Sequence, residues 1–463
     1  MFSKVVIAYL AVLPYCLAQV ESNPTECIDS VTDGVDYFPD KVQPLESEFW
    51  NVTYYNTYKI LKNEIEDETY LLYLCGTEPP TDELDGRHKA VVPVPVPHGV
   101  AISQTTHIPY LELLGVRTQI QGYLDDPQYI SSPCVNQLIE DGTILVVQNT
   151  TNETALDGLL ASSGENLVSF VTAFWTNVTL NNTVAISEFS EKSNVGTYEW
   201  IKFFSVFFNL EAKANELYDE VTARYECVAE NAAQVATDAQ MKPTVLWAYY
   251  STYDMGWDVA ECPNYYCEYA SICSADLLNS FDGSIEGYGG TKLMTLEEFV
   301  EFGKDADHWI YVGNDWDDVY EANKDALDQF KSVQALEVYD YMGSGENAWF
   351  EQRLAEFGKC GVFISVSLYQ SNAVFFSFFS SDVVAQDFCT VVGTQEPFHN
   401  RVWFRNVATE EIGEPGTCTD PSAPLESRAT ECVAQPSTQT SDAFSARTML
   451  VSAALLLAAL LTM

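Results

Sequence analysis

Three short runs set aromatic rings beside amides and carboxylates: Tyr249 to Trp257 ("YYSTYDMGW"), Asn314-Asp315-Trp316, and Asn347-Ala348-Trp349. Rings of this kind give large contact area at low rotamer cost, and a few polar neighbours orient what they hold. That is the chemistry of non-covalent capture. Catalytic signatures are missing from the chain. It has no G-x-S-x-G elbow, no H-E-x-x-H, no P-loop and no G-x-G-x-x-G, and Gly287 to Lys292 ("GYGGTK") lacks the Walker spacing. The five histidines (His88, His98, His107, His308, His399) show no close zinc-type spacing. His107, at a strand end, is the best single candidate for a metal ligand, and a satisfied loop histidine is the stronger reading. Asp315 to Asp318 ("DWDD") lacks the EF-hand glycine and closing glutamate and reads as a solvated helix start. Metal binding directly by the protein is therefore not expected, nor is an enzyme.

The elements that must position these runs belong to a secreted chain. Met1 to Ala18 has one early lysine, an apolar run and a small-residue exit, which is a signal peptide over residues 1–18. Residues 449–463 ("MLVSAALLLAALLTM") are apolar to the end. They follow a polar spacer with small residues at Ser441-Asp442-Ala443, a GPI-attachment pattern with Ser441 as the expected site. The expected location is the outer face of the plasma membrane, with the membrane reached through a lipid anchor. Sequons stand at Asn51, Asn149, Asn152, Asn177 and Asn181. Twelve cysteines, less Cys16 of the signal, leave an odd number in an oxidising compartment, so disulfides are expected and their pairing stays open. Cys262, Cys267 and Cys273 read as a stapled loop. The formal charge of −45, from 67 acidic and 22 basic residues, excludes nucleic acid as a partner.

Strand-like runs recur along residues 19–195. "FWNVTYYNTYKIL" and "TYLLYLCG" predict a hairpin, "AVVPVPVPHGVAIS" a strand entered through prolines, and "TQIQGYL", "GTILVV" and "GENLVSFVTAFWTNV" three more. Apolar residues from Trp200 to Val228 then recur in steps of three and four. They predict one long helix from Asn194 to Val228, within a connecting region at 196–242. The α/β rhythm restarts over 243–412 with "TVLWAYY", "DHWIYVG" and "ALEVYDY". Residues 413–448 are Pro/Ser/Thr-rich and read as a stalk.

Three segments carry a resemblance: "VAISQTTHIPYLELLGV", "YEWIKFFSVFFNLEAKANELYDEVTARY" and "KPTVLWAYYSTYDMGWDV", with "ENAWFEQRLAEFG" and "FHNRVWFRNV" fitting later. In this order they resemble the class III periplasmic-binding-protein group, which carries iron-siderophores and vitamin B12 and has secreted eukaryotic relatives. The resemblance spans most of residues 40 to 412. It implies two α/β lobes joined by a long inter-lobe helix, with a largely pre-formed ligand cleft between the lobes.

By that resemblance, and because open α/β sheets bind ligands outside the carboxyl ends of their strands, the expected ligand contacts are Thr105, Thr106, His107 and Tyr123 in the first lobe. In the second they are Tyr249, Tyr250, Tyr253, Trp257, Asn314, Trp316, Asn347 and Trp349. Arg117, Arg401 and Arg405 read as structural. The expected ligand is a ferric siderophore or similar chelate, iron being present only inside it and no cofactor bound permanently. Scarce basic residues favour a hydroxamate over a catecholate. Rival readings are a corrinoid, haem or other nutrient on the same fold, a surface hydrolase, or a structural coat glycoprotein. An uptake partner is required and the sequence names none.

Overall fold

The computed structural model describes residues 20–148, 153–164, 167–172, 180, 182–191, 193–279, 285–286, 291–353, 382–395, 398–423, 425 and 430–434. The signal peptide, Asn149, Asn152, Asn177, Asn181, Ser441 and the apolar tail lie outside the described residues.

Alternation along the chain writes the first sheet. Strand β2 (Tyr58–Asn63) alternates half-buried and buried positions and pairs antiparallel with β1 (Trp50–Tyr54) and β3 (Glu68–Leu74). The expected hairpin is thus three strands, and β4 (Ala90–Val94) adds parallel to β3. Pro93 is tolerated there because β4 is an edge strand.

A second, all-parallel sheet follows: β5 (Val100–Ile102), β6 (Ile120–Tyr123), β7 (Leu145–Val146), β8 (Val168–Thr172) and β9 (Asn182–Ile186), in the order β7-β6-β5-β8-β9. Helices α1 (Ile108–Leu114), α2 (Pro133–Glu140) and α3 (Glu153–Ser163) make its crossovers. Strands β5 and β8 are buried at every position, as expected for a sheet covered on both faces. Strand β9 was not expected, because "NNTVAIS" offers only a short apolar run.

The expected single helix is two. Helix α4 (Asn194–Ser205) is capped by the Ser193 hydroxyl, which accepts from the Gly196 amide at 2.9 Å. It is buried on almost every side, with Phe204 stacked on Tyr110 (5.0 Å) and edge-on to Phe170 (5.1 Å). After it the chain breaks, with Asn209 in the left-handed region at φ 56°.

At the break lies Lys59 of β2, whose ammonium is fully buried and takes the Val206 carbonyl (2.9 Å), Asn209 Oδ1 (2.7 Å) and Glu211 Oε1 as acceptors. An unbroken helix would pair the Val206 carbonyl with the Leu210 amide. Leu210 instead donates to the Ser205 carbonyl at 3.1 Å.

Helix α5 (Glu211–Ala239) then runs 29 residues, about 44 Å at 1.5 Å per residue. Ala214, Leu217, Tyr218 and Val221 belong to the core of the first half, and Tyr225, Val228 and Ala232 to that of the second. This is the connector.

The second half is one mixed sheet, β10 (Thr244–Ser251), β11 (Gly256–Ala260), β12 (Asp276–Leu277), β13 (Ile285–Glu286), β14 (Thr291–Met294), β15 (His308–Tyr311), β16 (Val338–Asp340) and β17 (Arg405–Asn406). Its main path is β13-β14-β11-β10-β15-β16-β17, with β12 beside β10. Helices α6 (Tyr265–Ile272), α7 (Leu296–Gly303), α8 (Trp316–Leu327), α9 (Lys331–Gln334), α10 (Ala348–Gln352) and α11 (Asp382–Val391) accompany it.

Disulfides join Cys27 to Cys75, Cys134 to Cys418, Cys227 to Cys432, Cys262 to Cys267 and Cys273 to Cys389. Cys360 lies outside the described residues. Two of these bonds change the picture of the stalk. The described residues between 413 and 434 run over the body of the protein as a strap. Arg117 Nη1 donates to the Pro421 and Ala423 carbonyls (2.8 and 3.0 Å), and Asn231 Nδ2 to the Val433 carbonyl (2.9 Å). Among the described residues no helix is long and apolar enough to cross a membrane.

Candidate functional site

The order of the parallel sheet locates a crevice. From β5 the chain steps outward to β6 and β7, then returns to the other side of β5 as β8 and β9. The connections therefore diverge at β5 and β8, and the space outside their carboxyl ends is the natural place for a ligand.

Ser103 leaves β5 there, and its Oγ accepts from the Thr172 amide at the end of β8 (3.1 Å). Thr105 to His107 form a single 3-10 turn before α1. His107 is fully buried, with Nε2 3.4 Å from Thr172 Oγ1 and Nδ1 without a partner. Burial alone lowers its pKa to about 3, so the ring is neutral. Thr106 Oγ1 donates to Glu188 Oε1 (2.6 Å) at the exit of β9, and Glu188 Oε2 has no partner. Burial pushes that carboxyl up. Tyr123 ends β6 and is buried.

Across the crevice stands α10, packed against the Thr105–His107 turn and α1. Trp349 is fully buried among Trp403, Phe404 and Tyr341, with the Tyr265 side chain beside it. The Arg353 guanidinium lies over the Tyr265 and Trp349 rings (4.9 and 5.2 Å), leaving Nε without a partner. Asn347 Nδ2 reaches the Gln128 carbonyl at 3.5 Å.

The firmest link is made by Glu351. Its Oε2 accepts from the Ser131 amide (2.6 Å) and its Oε1 from the Ser132 amide (2.8 Å), both in the first half just before α2. Burial, reinforced by the nearby Glu112, raises this carboxyl to about 8.

The sequence-derived residues therefore divide. Thr105, Thr106, His107, Tyr123, Asn347 and Trp349 stand along this boundary between the halves. The others sit elsewhere. Tyr249 and Tyr250, expected beyond a strand end, are within β10, which runs on to Ser251 and turns back as β11. Trp257 lies in β11, 1% exposed and stacked on Phe299 (4.2 Å). Trp316 is buried edge-on to Trp309 (5.1 Å). Tyr253, at the hairpin tip, is 94% exposed. Asn314 is exposed after β15.

Glu188, Glu351 and Arg353 carry none of the aromatic signal that marked the others. Glu188 was missed together with β9, and Glu351 lies inside "ENAWFEQRL" beside two residues that were named.

The arginines are structural, as expected: Arg117 pairs with Glu112, Arg401 with Glu410 and Arg405 with Asp340. Asn51 is half-buried on β1, its amide bonded to Glu64. Among the described residues no three His, Cys, Asp or Glu side chains group as a metal site. Three surface cavities of about 370 to 530 Å³ lie away from the crevice, beside Phe398 and Arg401, beside Ala236 and Ser274, and beside Pro97 and Phe208.

No protein-family model matches the chain. A 160-residue segment is 28% identical to an uncharacterised lipoprotein of Methanocaldococcus jannaschii, covering 34% of this chain and 36% of that protein, so the chain spans about a third of the curated relative it matches. A periplasmic heme-binding protein of Pseudomonas aeruginosa is similar over 70% of this chain and all of that one, at 10% identity and TM-score 0.41. The siderophore-binding protein FhuD of Vibrio cholerae, solved with Fe3+-Desferal, is similar over 56% and 95%, at 14% identity and TM-score 0.41. FhuD2 of Staphylococcus aureus with bound ferrioxamine B is similar over 56% and 93%, at 11% identity and TM-score 0.40.

Proposed function

We propose that this chain is a cell-surface solute-binding receptor that takes a ferric-siderophore-like chelate between its two halves and supports iron uptake, held at the outer face of the plasma membrane by a GPI anchor. One observation carries the reading. The carboxyl ends of β5, β8 and β9 face α10 across a boundary where, among the described residues, the buried His107 Nδ1 and Glu188 Oε2 on one side and Arg353 Nε on the other have no hydrogen-bond partner. Buried polar groups are nearly always paired, and a cluster of unpaired ones where an α/β sheet offers a ligand crevice fits a site that a ligand completes.

The chelator would hold the metal, and the protein would read the chelate's outer surface through rings and a few donors. A hydroxamate suits a chain with 22 basic residues against 67 acidic ones better than a more anionic catecholate. Delivery into the cell needs an uptake partner or internalisation.

A second reading has its own observation. Helix α10 already packs on the Thr105–His107 turn, as a structural coat glycoprotein with a filled cleft would have it. The test is titration of the full chain with iron-loaded and iron-free hydroxamate siderophore, followed by tryptophan quenching and calorimetry. Saturable binding of the loaded form supports the receptor. Binding of a corrinoid or haem instead keeps the receptor and replaces the ligand, and silence toward all three favours the coat.

A further inference from the structure

The contact that closes the crevice is a carboxylate on two amides, with no cation paired to it among the described residues. Glu351 is fully buried, and its hydrogen-bond partners among the described residues are Ser131 and Ser132 of the other half. Among the described residues, the groups that face it are neutral, acidic or already engaged. From α1 comes Glu112, held by Arg117 Nε (2.6 Å) and by the Ser132 hydroxyl (2.7 Å). From β6 comes Tyr123, whose loop continues into Asp125 and Asp126. The turn packed on α10 brings His107, a neutral ring, and Glu188 stands behind Thr106. On the helix itself, Gln352 Nε2 donates to Ser131 Oγ (2.9 Å), and Arg353 is turned to the Tyr265 and Trp349 rings.

We infer that Glu351 and the Ser131–Ser132 amides form a proton-dependent latch between the two halves, shut in acid and loosened as the pH rises toward and beyond neutrality. The sign follows from the two states. Docked, the carboxyl is buried beside Glu112 and holds its proton up to about 8. Undocked into water, it would release its proton in the ordinary carboxylate range, near 4.3. The docked form therefore binds more protons between those limits, and raising the pH across them favours undocking. Use of the latch to admit a ligand rests on the receptor reading; the latch itself does not.

The experiment is amide hydrogen exchange of the full, ligand-free chain from pH 5 to 8.5, corrected for the intrinsic rate. Protection of the Ser131 and Ser132 amides should fall by up to about tenfold per pH unit, while the amides of β8 keep theirs. In Glu351→Gln, which cannot ionise, the slope should vanish. A flat profile in the unaltered chain, or an unchanged slope in Glu351→Gln, overturns the latch. Should Glu351→Gln fail to fold, Glu112→Gln decides: removing the neighbouring charge should move the fall to lower pH, and an unmoved profile counts against the proposal. No chelate is present, so a protein that binds no siderophore can still show the latch, and a protein without the latch can still bind.

Discussion

Two buried carboxylates in this molecule accept backbone amides, and they differ in what else they touch. Glu199 of α4 accepts from Leu45, Glu46 and Ser47 (2.8, 2.8 and 2.9 Å) and pairs with Lys202 Nζ (2.7 Å), all within the first half. Glu351 has two amides, no cation, and its partners on the other side of a boundary between halves. Three donors and a cation compensate the lost hydration of a charge and make Glu199 part of the core. Burial outweighs the two amides and the Ser131 hydroxyl, with no cation among the described residues, and leaves Glu351 favouring its neutral form. One cradle is permanent and the other conditional, although both are built from carboxylate and peptide N–H.

The comparison can be broken in several ways. Glu199→Ala strands Lys202 and three amides, and should cost about 3–5 kcal/mol by chemical denaturation; a loss below about 1 kcal/mol would mean the cradle is incidental. Replacing Cys134 and Cys418 together by serine frees the strap from α2, whose N-terminal side supplies the amides for Glu351. A disulfide of this kind is worth about 2–4 kcal/mol, and its loss should also raise exchange at Ser131 and Ser132.

Stability itself should carry the mark of Glu351. Its folded value is raised to about 8, above the unfolded one, so the unfolded chain binds fewer protons between about pH 4.3 and 8. Stability should then decline across that window, by at most about 1.4 kcal/mol per pH unit. Denaturation profiles of the unaltered chain and Glu351→Gln should diverge there, and parallel profiles would remove the distinction between the cradles. Smallest is Tyr253→Ser at the exposed hairpin tip, expected within about 0.5 kcal/mol of the unaltered stability. A fall in chelate affinity in that variant would extend the site to the second sheet.

Much of the architecture was legible. The runs at "TQIQGYL", "GTILVV", "TVLWAYY", "DHWIYVG" and "ALEVYDY" are strands because β-rich apolar segments bounded by turn residues have few other ways to bury themselves. The helical stripe from Trp200 onward was also real. Its continuity was misleading, since periodicity reports which face is apolar and is silent on a lysine 147 residues earlier that takes the Val206 carbonyl as acceptor. The candidate site was legible in part. The loop after β5 follows from strand order, so Thr105 to His107 could be placed beside the crevice. Trp257 and Trp316 were singled out by the same aromatic signal that marks a core, and a ring near a strand end looks alike in sequence whether it faces a ligand or Phe299.

By itself the sequence determined the local elements, the acidic and cysteine-bearing character of the chain, and the presence of a connector between two α/β halves. These depend on periodicity and composition, which are properties of neighbouring residues. Only the tertiary structure decided where the connector breaks, which aromatics are core, how the strap crosses the body, and that Glu351 reaches Ser131 and Ser132. Those outcomes turn on satisfying buried polar groups with partners distant in sequence, and that pairing is settled only when the chain is packed.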